Sequence, residues 1–293
     1  MYGRIIETIF LRHYRKGSPE FGFGRQEIID TANELHSSGQ TGQFQPKNVG
    51  DVIYTFRHRR PLPPAVRATH QDFDQEIFRD GGWMILGAGH AQYRFRMSKL
   101  THIRPTAGLP VIKLPNATPE IISTYALNDE QALLAKMRYN RLIDIFLGVT
   151  AYSMQNHLRT FVENYGQIEI DELYVGVGRE GSQCVIPVQA KGDSKSDTLG
   201  AIQTIQDVMF CRTPLTKKTK RRKKDYSELD VRAVSAKSFK FDGRDAIAMF
   251  WLDFDGKEVI RKRERHYMLV SKDEISLQEL KRYRTMASED YSD

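Results

Sequence analysis

Residues 166–207 commit the chain to a sheet. Ile168 and Ile170 alternate with Glu169 and Asp171, Leu173-Tyr174-Val175 extends the run, residues 178–183 read as a turn, and 184–191 run back. Side chains in a strand repeat every two residues. Cys184, Ile186, Val188 and Ala190 therefore share one face of the returning strand, while Gln189 and Lys191 project together from the other. A helix follows in DTLGAIQTIQD. Pro187 donates no ladder hydrogen bond, so a sheet edge or a bulge is expected there.

The rest of the chain falls into three parts. After an FGFG turn, Ile28, Ile29, Ala32 and Leu35 recur at helical spacing, and a second periodic segment carries Val49, Val52, Ile53 and Phe56. Lys47, Arg57, His58, Arg59 and Arg60 cluster at the ends of that segment. Trp83, Ile85, Tyr93, Phe95 and Met97 then alternate about a Gly87–His90 turn, giving a β-hairpin with Arg94 and Arg96 on its opposite face. Helix, helix and basic hairpin over residues 1–103 resemble a winged-helix DNA-binding domain, whose second helix enters the major groove while its wing touches phosphate. Residues 104–127 hold four prolines in RPTAGLPVIKLPNATP and read as an extended linker.

Residues 128–293 form the second domain. A helical stripe runs from Asn128 through Leu133, Leu134, Met137, Leu142, Ile145, Phe146, Val149 and Tyr152, and on through Gln155, Leu158, Arg159 and Val162. Towards the C-terminus, three β-rich runs are separated by Asp242-Gly243 and Asp255-Gly256 turns. A basic loop over 216–225 holds Lys217, Lys218, Lys220, Arg221, Arg222, Lys223 and Lys224. Such a run is solvated, or contacts phosphate without reading bases.

The 293 residues carry a formal charge of +7, an excess suited to a polyanionic partner. Cys184 and Cys211 are too few for a disulfide framework or a cysteine zinc cluster, and they fit a reducing compartment. No apolar run approaches the roughly 20 residues that cross a bilayer, so no membrane partner is expected. The first residues become charged too early for a secretory signal, and the chain reads as mature and cytoplasmic.

Chemistry concentrates at the hairpin. Asp171 can face the Gln189-Ala190-Lys191 tripeptide across the sheet. Mg²⁺ takes one or two protein oxygens and keeps its waters, so Asp171, the Gln189 side-chain carbonyl and the Ala190 main-chain carbonyl would suffice as ligands. Glu169, two residues before Asp171 on the same face, can add negative charge, although Glu169 and Glu172 read first as solvated strand-end acids. Lys191 can orient or deprotonate a water and offset charge on a phosphorane-like transition state.

Asp171, the hydrophobic strand, the glycine-bearing turn and Val188-Gln189-Ala190-Lys191-Gly192 resemble the PD-(D/E)xK nuclease superfamily, in the variant with Gln as the second motif residue that Mrr-type restriction nucleases use. Ile170 replaces the family proline. The resemblance implies an α/β restriction-endonuclease-like core, a mixed sheet flanked by helices. It implies metal binding by Asp171 with help from Gln189, catalysis by Lys191, and a supporting Gln203, or Gln206, on the following helix. It also implies an acid on the preceding helix, for which Glu163 is the nearest acid and Gln155 the best-placed amide. Mg²⁺, with Mn²⁺ as substitute, double-stranded DNA, a homodimer and a companion DNA methyltransferase follow as cofactors and partners. A non-cleaving DNA-binding regulator and a structure-specific repair or recombination nuclease are the rival readings. The lone His157 reads as a structural residue of the helical stripe.

Overall fold

The computed structural model describes residues 1–40, 49–125, 130–162, 165–194, 197–215 and 224–289. The first unit contains α1 (Tyr2–His13), β1 (Glu20–Gly24), α2 (Arg25–Ser37), α3 (Val49–Tyr54) continued by a π-helical turn (Thr55–Arg59), α4 (Pro64–Ala68), β2 (Gly82–Gly87) and β3 (Gln92–Ser98). Its three strands pair antiparallel in the order β1-β3-β2. FGFG is therefore a strand and not a turn: Phe21 and Phe23 stand opposite Phe95 and Tyr93. Phe10 meets Phe95 and Trp83 edge-on at 5.1 and 5.0 Å, the offset geometry that favours aromatic pairs.

The second unit contains β4 (His102–Ile103), β5 (Val111–Pro115), α5 (Glu120–Tyr125), α6 (Glu130–Tyr139), α7 (Leu142–Leu147), β6 (Thr150–Val162), β7 (Gly166–Val177), β8 (Gln183–Lys191), β9 (Leu199–Gly200), α8 (Ala201–Arg212), β10 (Asp230–Val231), β11 (Ala233–Phe241), β12 (Arg244–Phe254), β13 (Val259–Val270) and α9 (Leu277–Glu289). A curled, mixed sheet runs β5-β13-β12-β11-β8-β7-β6, with β10 beside β8. The period-two pattern of β7 and β8 supplies apolar side chains to both faces. Ile168, Ile170 and Val185 pack with Ile202, Ile205 and Val208 of α8, while Ile186, Val188 and Ala190 pack with Leu134, Met137 and Phe146 of α6 and α7. The fold is thus mixed α/β, with helices on both faces of the sheet.

Four expectations are corrected. The predicted helix over 150–162 is strand β6. Gly148, at φ +67°, closes α7 with its N–H on Asp144 O at 2.8 Å, and the β-branched and aromatic residues beyond it suit a pleated surface. The predicted linker over 104–127 is partly sheet: β5 pairs parallel with β13, and as an edge strand it tolerates Pro115. β4, inside the predicted first domain, pairs with β9 in the second unit. Pro187 lies in an interior strand. It sits where the parallel partner of β8 passes from β10 to β11 in unchanged register, and the ladder is interrupted at the proline, which has no N–H to donate.

The two units share packing. Met84 and Leu86 of β2 join the core beneath α8. Ser98 Oγ donates to Glu258 at 2.7 Å, and the Lys99 N–H donates to it at 3.0 Å.

Candidate active site

The β7–β8 ladder stops at the pair Glu172↔Val188. Beyond it, two side chains make the bonds that a further rung would make. Asp171 Oδ2 accepts from the Ala190 N–H at 2.9 Å, and Gln189 Nε2 donates to Glu169 O, also at 2.9 Å. In an extended strand the N–H and C=O of one residue point to the same neighbour, so the Ala190 carbonyl lies on the Asp171 side of β8. Lys191 lies one residue further on and pairs with Glu130, at the start of α6, at 2.5 Å.

Asp171, Lys191, Glu130 and Glu169 open onto a cavity of about 1320 Å³ between the two units, with Gln189 and Ala190 buried behind them. Glu130, Glu169, Asp171, Lys191, Gln203 and Arg159 line one wall; Tyr54, Arg57, His58, Arg59 and Arg60, from α3 and its π-helical turn, line the other. A π-turn inside a helix re-aims side chains, and here it turns the basic end of α3 towards Lys191. Asp171 and Lys191 thus share the cavity, and Gln189 lies beside Asp171 through the paired contacts with Glu169 and Ala190. Glu169 joins them, held across the β6–β7 pair by Arg159 at 2.8 Å. Gln203 and Gln206 both line the cavity, and Gln206 is also a structural tie, donating to Tyr165 O and Gln167 O at 3.1 Å each.

Electrostatics follow from burial. Desolvation raises the Asp171 carboxyl above its usual range, against the pull of the Ala190 N–H and Lys191. Arg57, its Nε on Ile85 O at 2.8 Å, is lowered by burial to about 10 and stays charged, with Nη2 unpartnered. His58, exposed on the cavity wall, is pushed down to about 4, first by desolvation from the surrounding protein and then by the positive charges of Arg57, Lys191 and Arg59. Its ring is therefore neutral near pH 7. Burial also depresses Lys237, which closes the loop after Lys191 by donating to Gly192 O and Asp197 O at 2.9 and 2.6 Å.

Gln189 is 1% exposed, and its Oε1 has no hydrogen-bond partner. A buried acceptor without a donor is costly. Asp171, Gln189 Oε1 and the Ala190 carbonyl are oxygen donors of the kind that a hard divalent cation such as Mg²⁺ or Mn²⁺ takes.

Other sequence candidates lie elsewhere. Gln155, expected on a helix facing the site, is exposed on edge strand β6 opposite Leu173, because 150–162 is extended. His157 lies on the same strand at φ +47°. Glu172 is not a solvated strand-end acid. It is fully buried on the α6 face, where Arg138 donates to it at 2.9 Å and Ser153 Oγ also donates. Arg94 and Arg96 are paired with Glu20 at 2.9 and 2.5 Å. Lys47, Glu163, Lys217, Lys218, Lys220, Arg221, Arg222 and Lys223 lie outside the described residues; Lys224 is described and exposed.

Sequence reasoning missed Glu130, whose only signal is its place in an acidic helix start 61 positions before Lys191. It also missed Asp207, a buried acid on α8 whose Oδ1 accepts from Gln189 Nε2 at 3.4 Å and whose carboxyl burial raises well above the usual range. Among the described residues, no helix is long and apolar enough to cross a membrane. Compared with protein-family models, curated proteins and solved structures, the chain gives no match.

Proposed function

We propose that the protein is a divalent-cation-dependent endonuclease of the PD-(D/E)xK type that hydrolyses phosphodiester bonds in double-stranded DNA, as a site-specific restriction enzyme does. The observation that carries this reading is the shared cavity. Asp171, Glu130 and Lys191 face the same space as Arg57, Arg59 and Arg60 of the first unit. The order helix, strand, helix, helix, hairpin, with sheet order β1-β3-β2, supports a winged-helix-like module. The β7–β8 hairpin covered by α8 supports the nuclease core.

Asp171, Gln189 Oε1 and the Ala190 carbonyl would hold Mg²⁺ or Mn²⁺, with Glu130 and Glu169 as further carboxylates of the cavity wall. The bound cation supplies charge neutralisation at the scissile phosphate and activation of water. Lys191, held by Glu130, would stand beside that position, to orient the attacking water and balance charge as the leaving oxygen departs. Arg57, Arg59 and Arg60 fix the DNA backbone, and neutral His58 offers a hydrogen bond without adding charge. Cutting both strands of a two-fold symmetric site needs two such cavities, so the reading implies a homodimer. It also implies a companion methyltransferase, or restriction to modified DNA.

The test is digestion of modified and unmodified plasmids with Mg²⁺ or EDTA, followed by sequencing of the ends. Discrete fragments that require Mg²⁺ are expected. Absence of cutting on either plasmid would favour a non-cleaving regulator, and cutting confined to branched or damaged DNA would favour a repair nuclease.

A further inference from the structure

Asp207 is a buried acid for which the proposed chemistry has no use. It is 2% exposed, and among the described residues it has no cationic partner; it accepts from Gln189 Nε2 at 3.4 Å. The other Nε2 hydrogen goes to Glu169 O at 2.9 Å. An amide nitrogen has two hydrogens, and both are used, which leaves Oε1 as the end without a partner. Turning the amide over would set Oε1 against the Glu169 carbonyl, which has no hydrogen to give, and would take both N–H groups from their acceptors. Asp207 Oδ1 keeps a lone pair towards the amide whether or not the carboxyl carries a proton, so the constraint is geometric.

We infer that Asp207 is a positioning residue that requires an amide at position 189 and holds its oxygen ready for the cation. A glutamate side chain at that position would replace the two N–H donors between Glu169 O and Asp207 Oδ1 with an oxygen that carries one proton at most. The second acid of the motif is thus displaced one layer back, onto α8, and the amide stands in front of it. The cation part of this inference rests on the proposed function; the coupling between positions 189 and 207 does not.

Two measurements on the full chain test it. In urea unfolding, Gln189→Glu is expected to lower the midpoint and Asp207→Asn to change it little, since an asparagine Oδ1 still accepts. The double variant Gln189→Glu/Asp207→Asn again pairs an amide with a carboxylate, the donor and acceptor having exchanged positions, and is expected to recover at least half of the loss. If Gln189→Glu gives no soluble protein, recovery of soluble protein by the double variant is the same result. Simple addition of the two single effects would overturn the coupling. In Mn²⁺ titration followed by electron paramagnetic resonance without DNA, Asp207→Leu is expected to weaken binding about tenfold or more, and Asp207→Asn less than about threefold. Parent-like Mn²⁺ affinity in Asp207→Leu would overturn the positioning role. Failure of the parent protein to bind Mn²⁺ would overturn the cation reading and leave the urea result to decide the coupling.

Discussion

At the residue scale, the cavity imposes charge states that can be tested. His58 stays neutral in the folded chain down to about pH 4, whereas an unfolded histidine takes its proton near 6.5. Between those values the unfolded state binds more protons, so stability falls as pH drops through this window. His58→Gln is expected to lose less stability than the parent between about pH 7 and pH 5, read as the shift in urea midpoint; parallel losses would contradict it. On the other face of the sheet, Glu172 is fully buried against Arg138, which is 41% exposed. Arg138→Ala leaves that carboxylate without its cation and is expected to cost about 2–3 kcal/mol, less than a fully buried pair because the arginine reaches water. Replacing Glu172 with Leu in the same chain is expected to restore most of that loss, measured by denaturant unfolding.

At the element scale, what was legible is what local pattern dictates. The alternation in 166–191 specifies the hairpin and its faces. The Asp-Gly turns place β11, β12 and β13, with Asp242 and Gly243 both at positive φ. Strand β6 was not legible as a strand, because its apolar residues also fit a helical stripe running on from α7, and only Gly148 marks the break. β5 was hidden by Pro110 before it and Pro115 at its end, the latter of which an edge strand allows. Glu130 was hidden by distance along the chain: its pairing with Lys191 depends on how α6 crosses the sheet, which no local spacing encodes. The β7–β8 pairing also depends on one close approach. A Cβ at Gly176 would lie 2.8 Å from Cys184 Sγ and 3.1 Å from Ile186 Cδ1. Gly176→Ala is expected to destabilise the chain by about 1–3 kcal/mol in urea; an unchanged midpoint would show that the pair can give way.

At the scale of the whole molecule, the two units behave as one clamp. Met84 and Leu86 of the first lie in the core of the second, and Glu258 receives hydrogen bonds from Ser98 and Lys99. The basic turn of α3 and Lys191 line one cavity, so under the proposed function DNA held by the first unit would be the DNA presented to the second. A footprint left by catalytically disabled protein is therefore expected to cover the cut position, and cuts a full helical turn or more outside it would contradict this arrangement. The most direct test pairs binding with nicking on one duplex in Mg²⁺, for the parent and for Lys191→Ala. The account predicts that the parent binds and cuts, and that the variant binds comparably while cutting falls by about 10²-fold or more. Equal cutting by both proteins would contradict it.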